Sequence, residues 1–170
     1  MKKIILTVLI MFAALSAFAQ MSAPAYIFDE SGTPTNVRNA PKGKVVQKLP
    51  YIGGGYVVML LEVKNGWWRI DPDVELCGDV QEEEMKLKGS TTGYWLHNSV
   101  LAFGINGDPK NVLRQSPNGK PIKIPSAHLW DGLRPLEIQG KWIKVTTFNK
   151  RYTGWMPISR ICANPLTTCP

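Results

Sequence analysis

The stretch YVVMLLEVKNGWWRI, residues 56–70, decides the fold class. It begins with β-branched and aromatic residues, which favour strands, and Asn65-Gly66 separates this run from a second apolar run. An Asn-Gly pair between two such runs predicts a two-residue hairpin turn. A similar strand–turn–strand pattern returns at residues 136–147, with Gln139-Gly140 as the turn. The two hairpins predict an all-β protein.

Three sequence blocks occur twice, in the same order, and this internal repetition is typical of duplicated modules. The paired blocks are NVR with PKGK (36–44) and NVLR with PNGK (111–120), GWWRI (66–70) and KWIKV (141–145), and GYWLHNSVL (93–101) and GWMPISRIC (154–162). The last pair matches Tyr94 with Trp155. We predict two modules, residues 20–103 and 104–170, each of five or six short strands closed into a small barrel.

In this order the blocks resemble the bacterial SH3 domain family (SH3b-like). The resemblance implies two small SH3-like β-barrels in tandem, packed against each other. It also implies a binding role, because the family typically serves as an extracellular targeting unit on cell-wall enzymes. The first module departs from the pattern by an acidic insertion at about residues 71–90, within which residues 79–88 favour a helical turn. Ser99 and Arg160 replace an aromatic residue that SH3 folds often carry.

The N-terminus has the features of a secretory signal peptide. Lys2 and Lys3 precede an apolar run at 4–15, and Ala17-Phe18-Ala19 supplies the small residues of a cleavage site. We predict that residues 1–19 are removed, with an uncleaved membrane anchor as the alternative. The remaining apolar runs are too short to span a membrane. We therefore expect an exported protein, periplasmic or extracellular, with no stable membrane span after cleavage.

The net charge of +7 is unevenly distributed along the chain. Residues 20–103 hold 8 basic and 10 acidic side chains, whereas residues 104–170 hold 10 basic and 3 acidic ones. This asymmetry could dock the modules on one another or attract an anionic polymer to the second. Nucleic acid is not an expected partner, because the chain has an export signal and no recognisable nucleic-acid-binding motif.

The three cysteines allow more than one pairing, and export would permit disulfides. Cys162 and Cys169 could close a short loop in the C-terminal tail. Cys77 could instead tie that tail to the first module, and three thiols are the third option. An odd number of cysteines leaves at least one outside an intramolecular disulfide.

Enzymatic activity has little support in the sequence. A nucleophile needs a nearby base, and the only histidines are His97 and His128. A Cys–His hydrolase is the third hypothesis, with Cys162 and His97 or Cys77 and His128 as the pair. However, no cysteine stands at a strand-to-helix start that would lower its pKa. The two modules leave no room for a separate catalytic domain. The acidic residues between Asp71 and Glu84 lack the spacing of a calcium loop. We therefore predict no enzyme, no metal site and no cofactor.

The aromatic residues form the expected binding surface. In an alternating strand, Trp67 and Arg69 face one way while Trp68 and Ile70 face the other. By the resemblance, Trp67 and Trp142 take the characteristic tryptophan position, and aromatic rings suit stacking on sugars or peptides. The residues predicted to bind ligand are Trp67, Arg69, Tyr94, Trp95, Trp130, Trp142, Lys144 and Trp155.

These observations predict a non-enzymatic binding module. Its expected ligand is a cell-wall peptide, peptidoglycan or another envelope component, held in aromatic clefts at Trp67/Tyr94 and Trp142/Trp155. The alternative is an interaction or scaffold module with no small ligand. Such a module would use exposed strand edges and charge asymmetry to hold an envelope protein or a second copy.

Overall fold

Strands make up most of the regular structure. The computed structural model describes residues 21–53, 55–77, 83–106 and 112–164, except for the side chains of Glu83 and Trp130. The strands of the first half are β1 Ala23–Ile27, β2 Thr35–Arg38, β3 Val45–Leu49, β4 Tyr56–Lys64, β5 Trp67–Ile70, β6 Asp73–Leu76, β7 Glu83–Lys86, β8 Tyr94–His97 and β9 Leu101–Ala102. A short 3-10 helix, Asn98–Val100, stands between β8 and β9.

The sheets of the second half have fewer strands than the large sheet of the first half. Its elements are β10 Gly104–Ile105, α1 Ala127–Trp130, β11 Leu133–Gln139, β12 Trp142–Thr147, β13 Thr153–Pro157, a 3-10 helix Ile158–Arg160, and β14 Ile161–Cys162. Strands β11, β12 and β13 form an antiparallel sheet, and β10 pairs with β14. The all-β prediction is confirmed, with α1 as a single helical turn.

The Asn65-Gly66 hairpin forms as the sequence predicts. Both residues have positive φ, +51° and +77°, as a type I′ turn requires. Lys64 then faces Trp67 as the first pair of the β4–β5 ladder. The burial of β5 alternates along its four residues, so Trp68 and Ile70 enter the core while Trp67 and Arg69 remain half-buried.

The strands do not close into barrels within the described residues, and this part of the prediction is wrong. The large sheet runs in the order β3-β2-β8-β5-β4-β1-β9, and its ends, β3 and β9, are not neighbours. Closure requires the first and last strands to pair. Strand β9 is two residues long and pairs with β1, after which the chain continues into the second half.

The acidic insertion forms a β-hairpin arm. Strands β6 and β7 pair with each other from Asp73↔Lys86 to Leu76↔Glu83, and β6 also pairs with β4. The predicted helical turn at 79–88 is therefore wrong for residues 83–86, whereas 79–82 lie outside the described residues. Strand pairing overrides the helical preference of this segment, because pairing of β6 with β7 buries Val74 and the neighbouring Leu87 in the core.

The two halves share one hydrophobic core. Leu60, Trp68 and Phe103 belong to the same buried cluster as Leu133 and Ile143. Trp68 is fully buried, and its indole N–H donates to the carbonyl oxygen of Pro135 at 3.3 Å. Phe103 and Leu133 exchange two backbone hydrogen bonds of 3.0–3.1 Å. The contact between the halves is therefore a packed interior.

The repeated loops have matching local geometry. The Arg38 guanidinium donates to the Gly43 carbonyl at 2.7 Å, and that of Arg114 donates to the Gly119 carbonyl at 2.8 Å. The residue before each glycine has positive φ, +57° in the first loop and +58° in the second. The division into two modules between residues 103 and 104 remains a prediction. The shared hydrophobic core crosses that boundary.

The cysteines and the leader are only partly described. Cys162 is disulfide-bonded and Cys77 is buried. Cys169 lies outside the described residues, so its pairing with Cys162 stays a prediction. Residues 1–19 also lie outside them. Within residues 21–164 as described, no helix is long and apolar enough to cross a membrane.

Candidate functional site: two aromatic and basic faces

The outer side of the first sheet carries a half-buried tryptophan beside basic groups. The Trp67 ring meets the His97 ring edge-on, with 5.1 Å between ring centres. The Arg38 guanidinium carbon lies 5.8 Å from the Trp67 ring centre. A guanidinium within about 6 Å of an aromatic ring gains a favourable electrostatic contact. The Trp67 ring thus already has two partners within the protein.

Arg69 and Trp95 lie on the same outer side but are occupied. They face each other across β5 and β8. Arg69 Nε donates to Glu62 Oε2 at 2.9 Å. The Trp95 side chain is buried, with 6% of its surface exposed. Both predicted residues therefore border this face rather than offering a free ring or cation.

Tyr94 does not flank Trp67, so the predicted Trp67/Tyr94 cleft is wrong. Tyr94 lies three positions before His97 on β8, an odd separation that places the two side chains on opposite faces. It pairs with Ile70 and is buried. Its hydroxyl donates to the Leu87 carbonyl at 2.9 Å, which anchors the end of the hairpin arm.

The strand pairing of the second half shows that the closing blocks of the two halves were aligned one residue out of register. Trp142 faces Pro157 and Lys144 faces Trp155 across β12 and β13. Because Arg69 faces Trp95 in the first half, the counterpart of Trp155 is Trp95, and the matching of Tyr94 with Trp155 is wrong. The matching of Trp67 with Trp142 agrees with the register, since each faces the last residue of the closing strand.

The partly exposed Lys144 side chain lies beside the buried Trp155 ring. The ammonium nitrogen of Lys144 lies 5.8 Å from the Trp155 ring centre and 3.6 Å from Glu137 Oε2. Trp155 has 7% of its surface exposed. The Trp155 ring is therefore part of the wall beneath Lys144, with little surface left for a ligand.

Among the predicted binding residues, Trp142 lies against an open cavity. A cavity of about 460 Å³ lies against it, bordered by Met21, Lys141, Trp142, Pro157, Ile158 and Ser159. Trp142 is half-buried at the start of β12, directly after the Gly140 turn. The backbone N–H of Ile158 donates to the Lys141 carbonyl at 2.9 Å, which fixes the chain on both sides of the cavity.

The two histidines have structural partners. The Ser99 hydroxyl lies 2.8 Å from His97 Nδ1, which also accepts the Ser99 backbone N–H at 3.3 Å and so caps the 3-10 helix. Burial lowers the pKa of His97, and the positive charge of Arg134 lowers it further. His128 Nδ1 lies 3.3 Å from the Asn149 amide nitrogen. The Trp130 side chain lies outside the description.

One cluster at the junction of the halves was missed by the sequence analysis. The Arg134 guanidinium lies 4.4 Å from the Phe148 ring centre and 3.6 Å from Glu30 Oε2, and it donates to the Leu101 carbonyl at 3.1 Å. Phe28 stacks on Phe148 with 5.2 Å between ring centres. A single arginine within the apolar run of β11 was the available sign of this cluster.

The described residues contain no group of three or more His, Cys, Asp or Glu side chains placed to hold a metal ion. Part of the acidic segment, residues 78–82, falls outside that description. The predictions of no metal site and no cofactor therefore remain predictions.

Comparisons with known proteins add little. No protein-family model and no curated protein matches the sequence. Among solved structures, the chain is similar to NlpC1 from Trichomonas vaginalis at 12% identity and a TM-score of 0.33. The match covers 91% of this chain and 50% of that one, so the chain spans half the length of that structure. A likeness of this strength carries no argument about function.

Proposed function

We propose that this protein is an exported, non-enzymatic binding module for a cell-wall peptide or another envelope component. The observation that carries the proposal is the cavity of about 460 Å³ beside Trp142. Its volume lies within the range of small-molecule and peptide-side-chain sites. The predicted signal peptide and the resemblance of the motif order to SH3b-like domains support the choice of the cell envelope.

The walls of the Trp142 cavity suit a peptide. Trp142 and Pro157 present rigid apolar surfaces that lose little conformational entropy on binding. Ser159 offers a hydroxyl and Lys141 a cation at the border. Wall peptides carry carboxylates, which a lysine attracts. Residues 104–170, with 10 basic and 3 acidic side chains, add a positive field around the cavity.

The first half is the weaker candidate for ligand binding. At the position equivalent to Pro157 it has His97, whose ring contacts Trp67. Arg38 occupies a second side of the same ring. We therefore place the principal site at Trp142 and give Trp67 a supporting role.

Sedimentation with purified peptidoglycan tests this proposal. Trp142→Ala is expected to weaken binding roughly 30-fold, the effect of losing a central aromatic contact. Tyr152→Ala is the matched control, because this half-exposed ring contacts His128 away from the cavity. Equal binding by both variants would remove the site assignment, and no sedimentation of the unaltered protein would remove the ligand class.

The alternative function, protein–protein interaction, rests on the edge strand β3. This strand ends the order of the large sheet, and Val45 on it is exposed. An unpaired edge with an exposed apolar side chain is a template for pairing with another chain. Light scattering that gives a dimer for the protein and a monomer for Val45→Lys would favour this function over the first.

A further inference from the structure

A second cavity, of about 270 Å³, lies outside the predicted aromatic clefts. It is formed between the end of β1, the start of β2 and the loop from β3 to β4. Among its walls are Phe28, Asp29, Thr35, Tyr51 and Tyr56. The first-half face around Trp67 supplies none of its walls.

The carboxylate of Asp29 is held in a fixed orientation at this cavity. Its Oδ2 accepts the Thr35 hydroxyl at 2.8 Å, and its Oδ1 accepts the Ser31 backbone N–H at 3.1 Å. Burial raises the pKa of Asp29, but the hydrogen bonds from Ser31 and Thr35, together with the charge of Arg134, outweigh burial and lower the pKa below its ordinary value. The group is thus ionised at neutral pH, and each oxygen keeps a lone pair for another donor.

Aromatic rings complete the cavity. The Tyr51 side chain is 86% exposed at its border. Tyr56 donates its hydroxyl to the Pro50 carbonyl at 2.9 Å, which holds the β3–β4 loop in place. Phe28 is held by stacking on Phe148. Aromatic faces attract organic cations, most strongly where a carboxylate adds its own charge.

The charge around the cavity is negative in sum. Asp29 and Glu30 contribute two carboxylates, and Arg134 offsets one of them through its 3.6 Å contact with Glu30. The Arg134 guanidinium also lies 6.0 Å from the ring centre of Phe28, a wall of the cavity, and its positive charge contributes to the lowered pKa of Asp29. The residues described as lining the cavity include two carboxylates, Asp29 and Glu30, and no basic side chain, so a ligand in the cavity meets net negative charge.

We propose that this cavity binds an alkylammonium group carried on a short apolar stem. The ammonium would donate to Asp29, and the stem would pack on Tyr51 and Tyr56. A volume of about 270 Å³ is below that of sites for drug-sized ligands, which limits the stem to a few carbons. A lysine side chain and a free peptide amino terminus both carry this chemistry. The proposal is independent of the function assigned to Trp142.

Amide NMR titration of the isotope-labelled protein with n-butylammonium tests the proposal. n-Butanol has the same shape without the charge, and butyrate has the opposite charge. Saturable shifts are expected at the amides of Thr35 and Tyr56 with butylammonium alone. N-acetyl-lysine amide and alanine amide then distinguish a side-chain amine from an amino terminus, and binding of either supports the site.

Three variants locate the site. Asp29→Asn keeps the side-chain shape and is expected to weaken butylammonium binding about tenfold. Tyr51→Ala changes an exposed ring, leaves the fold intact and should weaken binding about threefold. Asp131→Asn, at an exposed carboxylate after α1, should change nothing. Equal shifts with butanol, or no saturable shift with butylammonium, would overturn the proposal.

Discussion

Replacing Trp68 by phenylalanine tests whether one core holds the two halves together. Trp68 lies on β5 in the first half and is fully buried, and its indole N–H donates to the Pro135 carbonyl on β11 at 3.3 Å. Phenylalanine keeps an aromatic ring at the site but removes the donor and the smaller ring of the indole. The change therefore acts mainly on the contact between the halves.

The expected cost is about 2 to 3 kcal/mol in the free energy of unfolding. Losing the hydrogen bond and leaving the Pro135 carbonyl without its donor accounts for about 1 kcal/mol. The smaller ring gives up buried apolar surface and leaves a space, which adds about 1 to 2 kcal/mol. The neighbouring half-buried Trp67 gives a matched control, because Trp67→Phe should cost less than about 1 kcal/mol.

Equilibrium unfolding in urea measures both variants, followed by tryptophan fluorescence and by circular dichroism. A shared core predicts one transition with coincident curves for the unaltered protein. Trp68→Phe should shift the midpoint and leave the slope unchanged. Equal costs for Trp68→Phe and Trp67→Phe, or two separate transitions in the unaltered protein, would refute the reasoning.

Three further predictions concern single residues. Gly66→Ala should lower the free energy of unfolding by about 1 kcal/mol, because Gly66 has a φ of +77°. Gly53→Ala is the control: an added Cβ meets open space there, so the loss in the same unfolding assay should be less than about 0.5 kcal/mol. The lowered pKa of His97 means that the folded state favours the neutral ring. The contribution of His97 to the free energy of unfolding should therefore be complete above pH 6.5 and decrease as the pH drops below it. His97→Gln should make unfolding curves less dependent on pH in this range. Arg134→Met should raise the pKa of His97, because the positive charge of Arg134 lowers it. NMR titration of the imidazole measures this pKa, and an unchanged value would contradict the prediction.

Local turn chemistry and strand alternation were predictable from the sequence. Asn65-Gly66 specifies its turn because both residues tolerate positive φ. The alternation of β5 separates Trp67 from Trp68 by period alone. These features depend on neighbours within a few residues, which the sequence shows directly.

The cross-strand partners were not predictable, because register depends on the whole sheet. Aligning Gly93 with Gly154 matched Tyr94 with Trp155, yet the ladders place Trp95 and Trp155 in equivalent positions. A shift of one residue reverses the face of every side chain in a strand. The Trp67/Tyr94 cleft failed because Tyr94 lies on the opposite face of β8 from His97. Trp155, the predicted partner of Trp142, is not among the residues that line the cavity beside Trp142.

The cluster around Arg134 could not be predicted from the sequence for a different reason. Its members, Glu30, Arg134 and Phe148, come from segments far apart in the chain and meet only when the halves pack. No periodicity links them.

The bond between Trp68 and Pro135 also bears on when the chain can fold. Its two ends are 67 positions apart, so this contact can form only after β11 has been synthesised. Contacts this distant slow folding, since a long loop must close before they form. The two halves can therefore complete their shared core only after β11 has been made, late in the synthesis of the chain.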